Sequence, residues 1–348
     1  MRYIALGIFL SVLMAAPARA GGAGAADTLW IAFTANTNGQ LLDCGCPGDA
    51  AGGLPRRATV IKRLRKAHPG LILLDGGDCL GTVPRQLQNA TVLEAYKMLP
   101  YSAVALGEQE FWNGLAFFQR EVLGAGLPLL CTNLRLKTAL SSPAIAREKR
   151  WKEGNFRVRL FALLDPGSFD YFDEGDKPPV ELTNPGETLR RRLRQKKRGE
   201  LILVIYHGTG GGLSRLARRI PGVDVWFLAH QEGKLAESWT DVAPPRVIPS
   251  STDGESVELV RIVRGRDGLR ISARRIWLVK SVPPDPGMQK LAEDYFDDLR
   301  VNLTGSRDAR GVYHGTASCR HCHLLAFQAW RESAHSASLA ATEGKGKK

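Results

Sequence analysis

Short apolar runs rich in β-branched residues recur along the chain, most of them followed by glycine or a turn and then by a helical pattern. Trp30-Ile31-Ala32-Phe33 comes first, followed by Leu71 to Leu74, Ala103 to Leu106 and Leu127 to Leu130, with Leu201 to Ile205 and Val223 to Leu228 further on. Runs this continuous predict strands buried on both faces, and stretches such as Arg56 to Ala67 suit crossover helices. An α/β sandwich built on parallel-type strands is expected. From Val257 to Val279 the pattern alternates instead, around a Gly-Arg-Asp-Gly turn, which predicts a β-hairpin with one wet face. Ser281 to Gly287 carries three prolines and reads as a linker. Met288 to Arg300 then predicts an amphipathic helix with Leu291, Tyr295, Phe296 and Leu299 on its apolar side.

In a parallel-type sheet, ligands gather beyond the carboxyl ends of the strands, so the residues after each run are the first candidates for chemistry. They are Asn36, Asn38 and Gly39, then Gly77-Asp78-Cys79, Gly107-Glu108-Gln109-Glu110, Thr132-Asn133, His207-Gly208 and Ala229-His230-Gln231-Glu232. This order resembles the calcineurin-like metallophosphoesterases, most closely their periplasmic 5'-nucleotidase branch, which reads D-x-H, G-D, G-N-H-E-F, a lone H and G-H-x-H. The resemblance spans residues 27–280 and implies a four-layer α/β/β/α sandwich.

The departures from that pattern bear on chemistry. By resemblance, one metal would take the positions of Asn36, Asn38, Asp78 and Glu232, where two neutral amides make weak ligands, so this metal is expected to be missing. The other would take Asp78, Glu108, His207 and His230. Two imidazoles and two carboxylates suit one zinc, iron or manganese ion. Gln109 stands where the family has the histidine that steadies the leaving group. A retained phosphoesterase, a vestigial structural metal and a metal-free site all remain open.

Four cysteines also fall at these strand ends: Cys44 and Cys46 in a C-x-C after the first run, Cys79 beside Asp78, and Cys131 after the fourth. A C-x-C pair is too tight to bridge within itself, so pairing with Cys79 or Cys131 is the natural disulfide, with a thiolate metal site or a redox dithiol as alternatives. Cys44-Gly45-Cys46 with Gly52-Gly53-Leu54-Pro55-Arg56-Arg57-Ala58 resembles a nucleotidase-like subfamily found with cytochromes, some members of which carry selenocysteine in this loop. That resemblance implies a thiol role.

Residues 1–20 read as a signal peptide, with Arg2, an apolar stretch and Ala18-Arg19-Ala20. The mature chain is expected in the periplasm or at the outer cell surface, without a membrane-spanning segment. The composition, 44 % hydrophobic and 24 % charged, excludes wholesale disorder. A net charge of +13 favours acidic partners or an anionic small molecule over nucleic acid, given the export signal. Much of it lies in Arg190 to Arg198, read as a solvated helix face.

Near the carboxyl end stands Cys319-Arg320-His321-Cys322-His323, the C-x-x-C-H spacing of covalent haem attachment, with a zinc half-site as the alternative. With Phe327, Trp330, Ser333 and His335 it resembles a module of the multihaem cytochromes c. That implies haem c on Cys319 and Cys322, with His323 as proximal and His335 as distal ligand, and His314 or His321 as alternatives to the latter. Residues 281–310 are read as linker and helix and 311–342 as an α-helical haem segment. The combined expectation is an exported c-type cytochrome with a degenerate 5'-nucleotidase-like domain, acting in electron transfer beside other cytochromes or acidic redox proteins. An active metal-dependent phosphoesterase with a haem tether or sensor, and an anion-binding module, are the alternatives.

Overall fold

The structure is a computed structural model that describes residues 28–43, 52–83, 85–136, 144–173, 175, 177–230, 238–239, 242–265, 268–305, 327–328 and 330–331. Two compact units divide the chain, Met1–Tyr295 and Phe296–Lys348.

The first unit is built on two large sheets. The seven-stranded sheet runs β11 (Ser238–Trp239), β14 (Gly268–Trp277), β13 (Ser256–Gly265), β1 (Thr28–Thr34), β2 (Ile72–Asp75), β3 (Ala103–Ala105) and β4 (Leu129–Leu130). The five-stranded sheet runs β12 (Val247–Pro249), β10 (Val225–Ala229), β9 (Glu200–His207), β7 (Phe156–Leu164) and β6 (Lys149–Glu153). A short ladder joins β5 (Leu134–Leu136) to β8 (Val180–Leu182). The connections carry the helices α1 (Leu54–Ala67), α2 (Gln86–Lys97), α3 (Gly114–Phe117), α4 (Pro185–Leu193) and α5 (Gly210–Arg219), and α6 (Pro286–Gly305) follows the last strand.

Period-two alternation sorts each strand between two cores. Leu29, Ile31 and Phe33 of β1 meet Leu201, Leu203 and Ile205 of β9 and Val225 and Phe227 of β10 in the layer between the sheets. Ile202, Val204 and Tyr206 point the other way, onto Leu189 of α4 and Leu213 of α5. Both faces are therefore dry, which is why these strands read as unbroken apolar runs.

Several expectations change. The sheets are mixed, since β13 pairs antiparallel with β1 and with β14. The hairpin does not have one wet face along its length: Ser256 to Val260 are all buried because β13 lies inside the sheet, and only its distal half reaches water. The run at Leu127 shortens to two strand residues. The helix begins at Pro286, inside the expected linker, and buries Met288, Ala292 and Tyr295, whereas Phe296 is exposed. A whole central strand, β7, was not anticipated; Arg157 and Arg159 break its apolar pattern, yet Arg159 is fully buried against Glu148 at 2.6 Å. In the second unit, Phe327 and Trp330 have ring centroids 5.8 Å apart. Among the described residues no helix is long and apolar enough to cross a membrane.

Candidate metal centre

Parallel registers bring the strand ends to one edge. Thr34 pairs with Asp75, Leu164 with His207 and His207 with Ala229. Asp78 and Glu108 leave the first sheet, and His207 and His230 the second, so the four meet where the two layers converge. One donor atom from each lies within 4.8 Å of the others.

The backbone is shaped for this meeting. Asn36, Asn38, Asp78 and His230 all have φ between 52° and 56°, the left-handed region that short polar residues enter most readily. Gly107 admits no side chain: a Cβ there would sit 2.1 Å from Asp78 Oδ1 and 2.6 Å from His207 Cε1.

His207 is fully buried, and its Nδ1–H donates to the Gly76 carbonyl at 2.8 Å. That leaves Nε2 facing Glu108 Oε2 at 3.0 Å and Asp78 Oδ2 at 3.2 Å. His230 Nδ1 lies 3.2 Å from Asp78 Oδ2 and 3.4 Å from Glu108 Oε1. An imidazole lone pair aimed at a carboxylate is repulsive unless a cation stands between them. Among the described residues no lysine or arginine pairs with either carboxylate. The positive charge is therefore an imidazolium proton or a metal ion, and the donor set fits a divalent ion. In the metal-free chain, burial opposes charge on His207, but Asp78 and Glu108 outweigh it and push its pKa well above the usual range. The hydrogen bond with Asp78 likewise raises His230. Burial works to raise Asp78, yet the two histidines hold it well below the ordinary carboxylate range.

Sequence reasoning did not assign Glu110, the organising residue of these loops. Its buried carboxylate accepts the backbone N–H groups of Gly107 at 2.7 Å, Cys79 at 2.8 Å, Asp78 at 3.2 Å and Leu80 at 3.4 Å. Burial, then the neighbouring Asp78, raises its pKa to about 7. Arg57, from the Gly-Gly-Leu-Pro-Arg-Arg-Ala stretch, is also buried; it donates to Thr37 Oγ1 at 2.8 Å and Tyr96 Oη at 3.1 Å, bracing the Asn36–Asn38 loop.

The expected weak ligands are engaged elsewhere. Asn36 donates through Nδ2 to Ser250 Oγ at 3.2 Å and the Ser251 carbonyl at 3.0 Å, and accepts the His230 N–H through Oδ1. Asn38 donates to Asp253 Oδ1 at 2.7 Å. Gln109 Nε2 donates to Asp78 Oδ2 at 3.2 Å, while its buried Oε1 has no hydrogen-bond partner among the described residues. Glu232 lies outside the described residues, as do Cys44, Cys46, Cys319, Cys322, His323 and His335.

Cys79 and Cys131 stand at the same sheet edge and are free and buried among the described residues, while their expected partners Cys44 and Cys46 lie outside them. Burial raises both thiols, Cys131 to about 11, which disfavours thiolate chemistry at either.

No protein-family model matches the chain. The snake venom 5'-nucleotidase of Crotalus adamanteus is 32% identical over 237 residues, covering 62% of this chain and 39% of that protein. A 5'-nucleotidase precursor from Thermus thermophilus superposes with a TM-score of 0.67 at 21% identity, over 79% of this chain and 59% of that one. The calcineurin-like phosphoesterase YfkN from Bacillus subtilis superposes with a TM-score of 0.62 at 17% identity, over 79% of this chain and 99% of that one. The chain thus carries a domain of the calcineurin-like phosphoesterase, 5'-nucleotidase type, while spanning well under half of the length of the venom relative.

Proposed function

We propose that this domain is a divalent-metal-dependent phosphoesterase that works with one metal ion, held by Asp78, Glu108, His207 and His230. The convergence of these four donors within 4.8 Å carries the reading. Similarity to 5'-nucleotidases supports phosphate monoesters as the substrate class, and the sequence of residues 1–20 supports an exported protein.

A zinc, iron or manganese ion bound there would act as a Lewis acid toward a phosphoryl oxygen. Gly76 fixes the His207 tautomer so that Nε2 is the ligand atom. The Gln109 amide and its backbone N–H, the latter 3.2 Å from Asp78 Oδ1, hold that carboxylate in place. The hydrogen bonds of Asn36 keep a second metal position closed, and Gln109 supplies no titratable proton for a leaving group. Slow turnover follows from both.

The test is hydrolysis of p-nitrophenyl phosphate and AMP by the full chain with zinc, manganese or ferrous iron. The expected rate is measurable but below the usual range of roughly 1 to 10³ per second, abolished by chelator and by His230→Ala. Metal-independent hydrolysis, or none with any of the three ions, overturns the proposal.

A second reading rests on Cys319-Arg320-His321-Cys322-His323: covalent haem c with His323 and His335 as axial ligands, and electron exchange with other cytochromes or acidic redox proteins. It is compatible with the first, since the two occupy different parts of the chain.

A further inference from the structure

Away from the four metal-ligating residues, a cavity of about 320 Å³ opens between the ends of β4 and β5 and helix α4. Arg135, Arg147, Arg191 and Arg192 line it, with Thr132, Thr183, Thr188 and Gln195. No acidic side chain contributes to its wall, and among the described residues none of the four guanidiniums has a carboxylate within 4.0 Å. The chain that continues from Leu136 through residues 137–143 also contains no aspartate or glutamate.

Arg191 and Arg192 belong to the last turn of α4, where cations are favoured by the unpaired carbonyls of the helix end. That explains two of the four as an ordinary basic helix face. It does not explain Arg135 of β5 or Arg147 before β6, which come from separate elements and meet the helix pair around the same hollow. Guanidinium groups stay charged, so about four positive charges share one concave surface, and among the described residues none is ion-paired, although Glu181 stands opposite Arg135 in the β5–β8 ladder.

The hydroxyls of the wall add little donor capacity. Thr132 donates to the Arg147 carbonyl at 2.7 Å and accepts the Ala162 N–H at 3.0 Å. Thr183 donates to the Asn133 carbonyl at 3.2 Å, which directs the Thr188 hydroxyl proton onto Thr183 at 2.8 Å. The donors left to face the cavity are guanidinium N–H groups and the Gln195 amide. Such a set matches tetrahedral oxyanions, which take paired N–H donors from arginine, and the volume suits a small molecule.

We propose that this arginine-lined cavity binds a diphosphate group, either as free pyrophosphate or as part of a nucleoside diphosphate. It is a second anion site, independent of the metal centre and of the proposed hydrolysis.

The test is titration calorimetry of the full chain in chelator with pyrophosphate, ADP and AMP as separate probes. Pyrophosphate should bind at one site per chain and weaken strongly between 0.1 and 0.5 M salt. Arg147→Gln/Arg191→Gln should weaken it at least tenfold, and His230→Ala should leave it unchanged. Tighter binding of ADP than of pyrophosphate identifies a nucleotide as the source, and equal binding identifies the free anion. Because both arginines are exposed, the double variant should fold; it should melt no lower than the parent and lose the rise in melting temperature that pyrophosphate gives. Unchanged affinity in the double variant, loss of binding in His230→Ala, or an oligoglutamate peptide that displaces pyrophosphate at lower concentration than AMP would overturn the proposal.

Discussion

Asn36 Oδ1 accepts the backbone N–H of His230 at 3.0 Å, across 194 residues of chain, and its Nδ2 simultaneously reaches Ser250 Oγ and the Ser251 carbonyl. An amide with both ends occupied is a brace between the sheets. Where the resemblance implies a metal ligand, Asn36 serves as a structural crosslink.

Asn36→Asp should therefore destabilise the protein, although it restores the residue type the resemblance implies. The new carboxylate oxygen would face the Ser251 carbonyl at the 3.0 Å now bridged by an N–H. A cost of about 1–3 kcal/mol is expected, read as a lower urea midpoint in metal-free buffer. An unchanged midpoint would show that the brace contributes nothing.

Stability should fall with rising pH across a window set by Glu110. Its folded pKa, about 7, lies above the ordinary 4.5, so between these values the folded chain keeps a proton that the unfolded chain has lost. The raised pKa values of His207 and His230 act above 6.5 and the lowered value of Asp78 acts below 3.8, while the raised carboxyls of Asp75, Glu255 and Glu258 and the lowered His68 share the interval from 4.5 to 6.5, so the Glu110 part is the difference between the parent and a Glu110 variant. Glu110→Gln should flatten urea stability over that interval by about 2–3 kcal/mol relative to the parent. Parallel pH profiles for the two proteins would contradict this assignment.

Asp78→Asn and His230→Ala should each weaken zinc or manganese binding by about 100-fold or more, measured by equilibrium dialysis. Affinity in the parent should also drop as pH falls, because the bound ion takes the place of the protons that Asp78 and Glu108 hold on the histidines. Retention of metal by both variants would move the centre elsewhere.

Native protein at pH 8 should protect Cys79 and Cys131 from iodoacetamide, since both are buried and their thiols are raised. Peptide mapping should find them alkylated only after unfolding. Fast labelling of either in the native state would revive a redox role at this edge.

If haem is attached, chain matured in a haem-competent host should give one haem per chain in a pyridine haemochrome assay, lost in Cys322→Ala. His335→Ala should turn a low-spin spectrum high-spin. A haem-free product from that host would remove the second reading.

The alternation and length of apolar runs were enough to set the α/β class, because strands dry on both faces leave no polar period: β1, β9 and β10 appear where Trp30 to Phe33, Leu201 to Ile205 and Val223 to Leu228 predict them. The polar residues after those runs were legible as candidates, since parallel strands deliver their carboxyl ends to one edge, and the family resemblance then singled out Asp78, Glu108, His207 and His230 among them. What local pattern does not encode is partnership across the chain. Strand β7 stayed hidden because Arg159 reads as solvated until Glu148 pairs with it in the interior. Glu110 and Asn36 were visible as letters, but their work is to satisfy backbone groups that only the folded loops bring within 3 Å. The arginine-lined cavity depends on the same fact: Arg135, Arg147 and the α4 pair are unremarkable surface cations in sequence, and only the packing of three separate elements turns their charges onto one space.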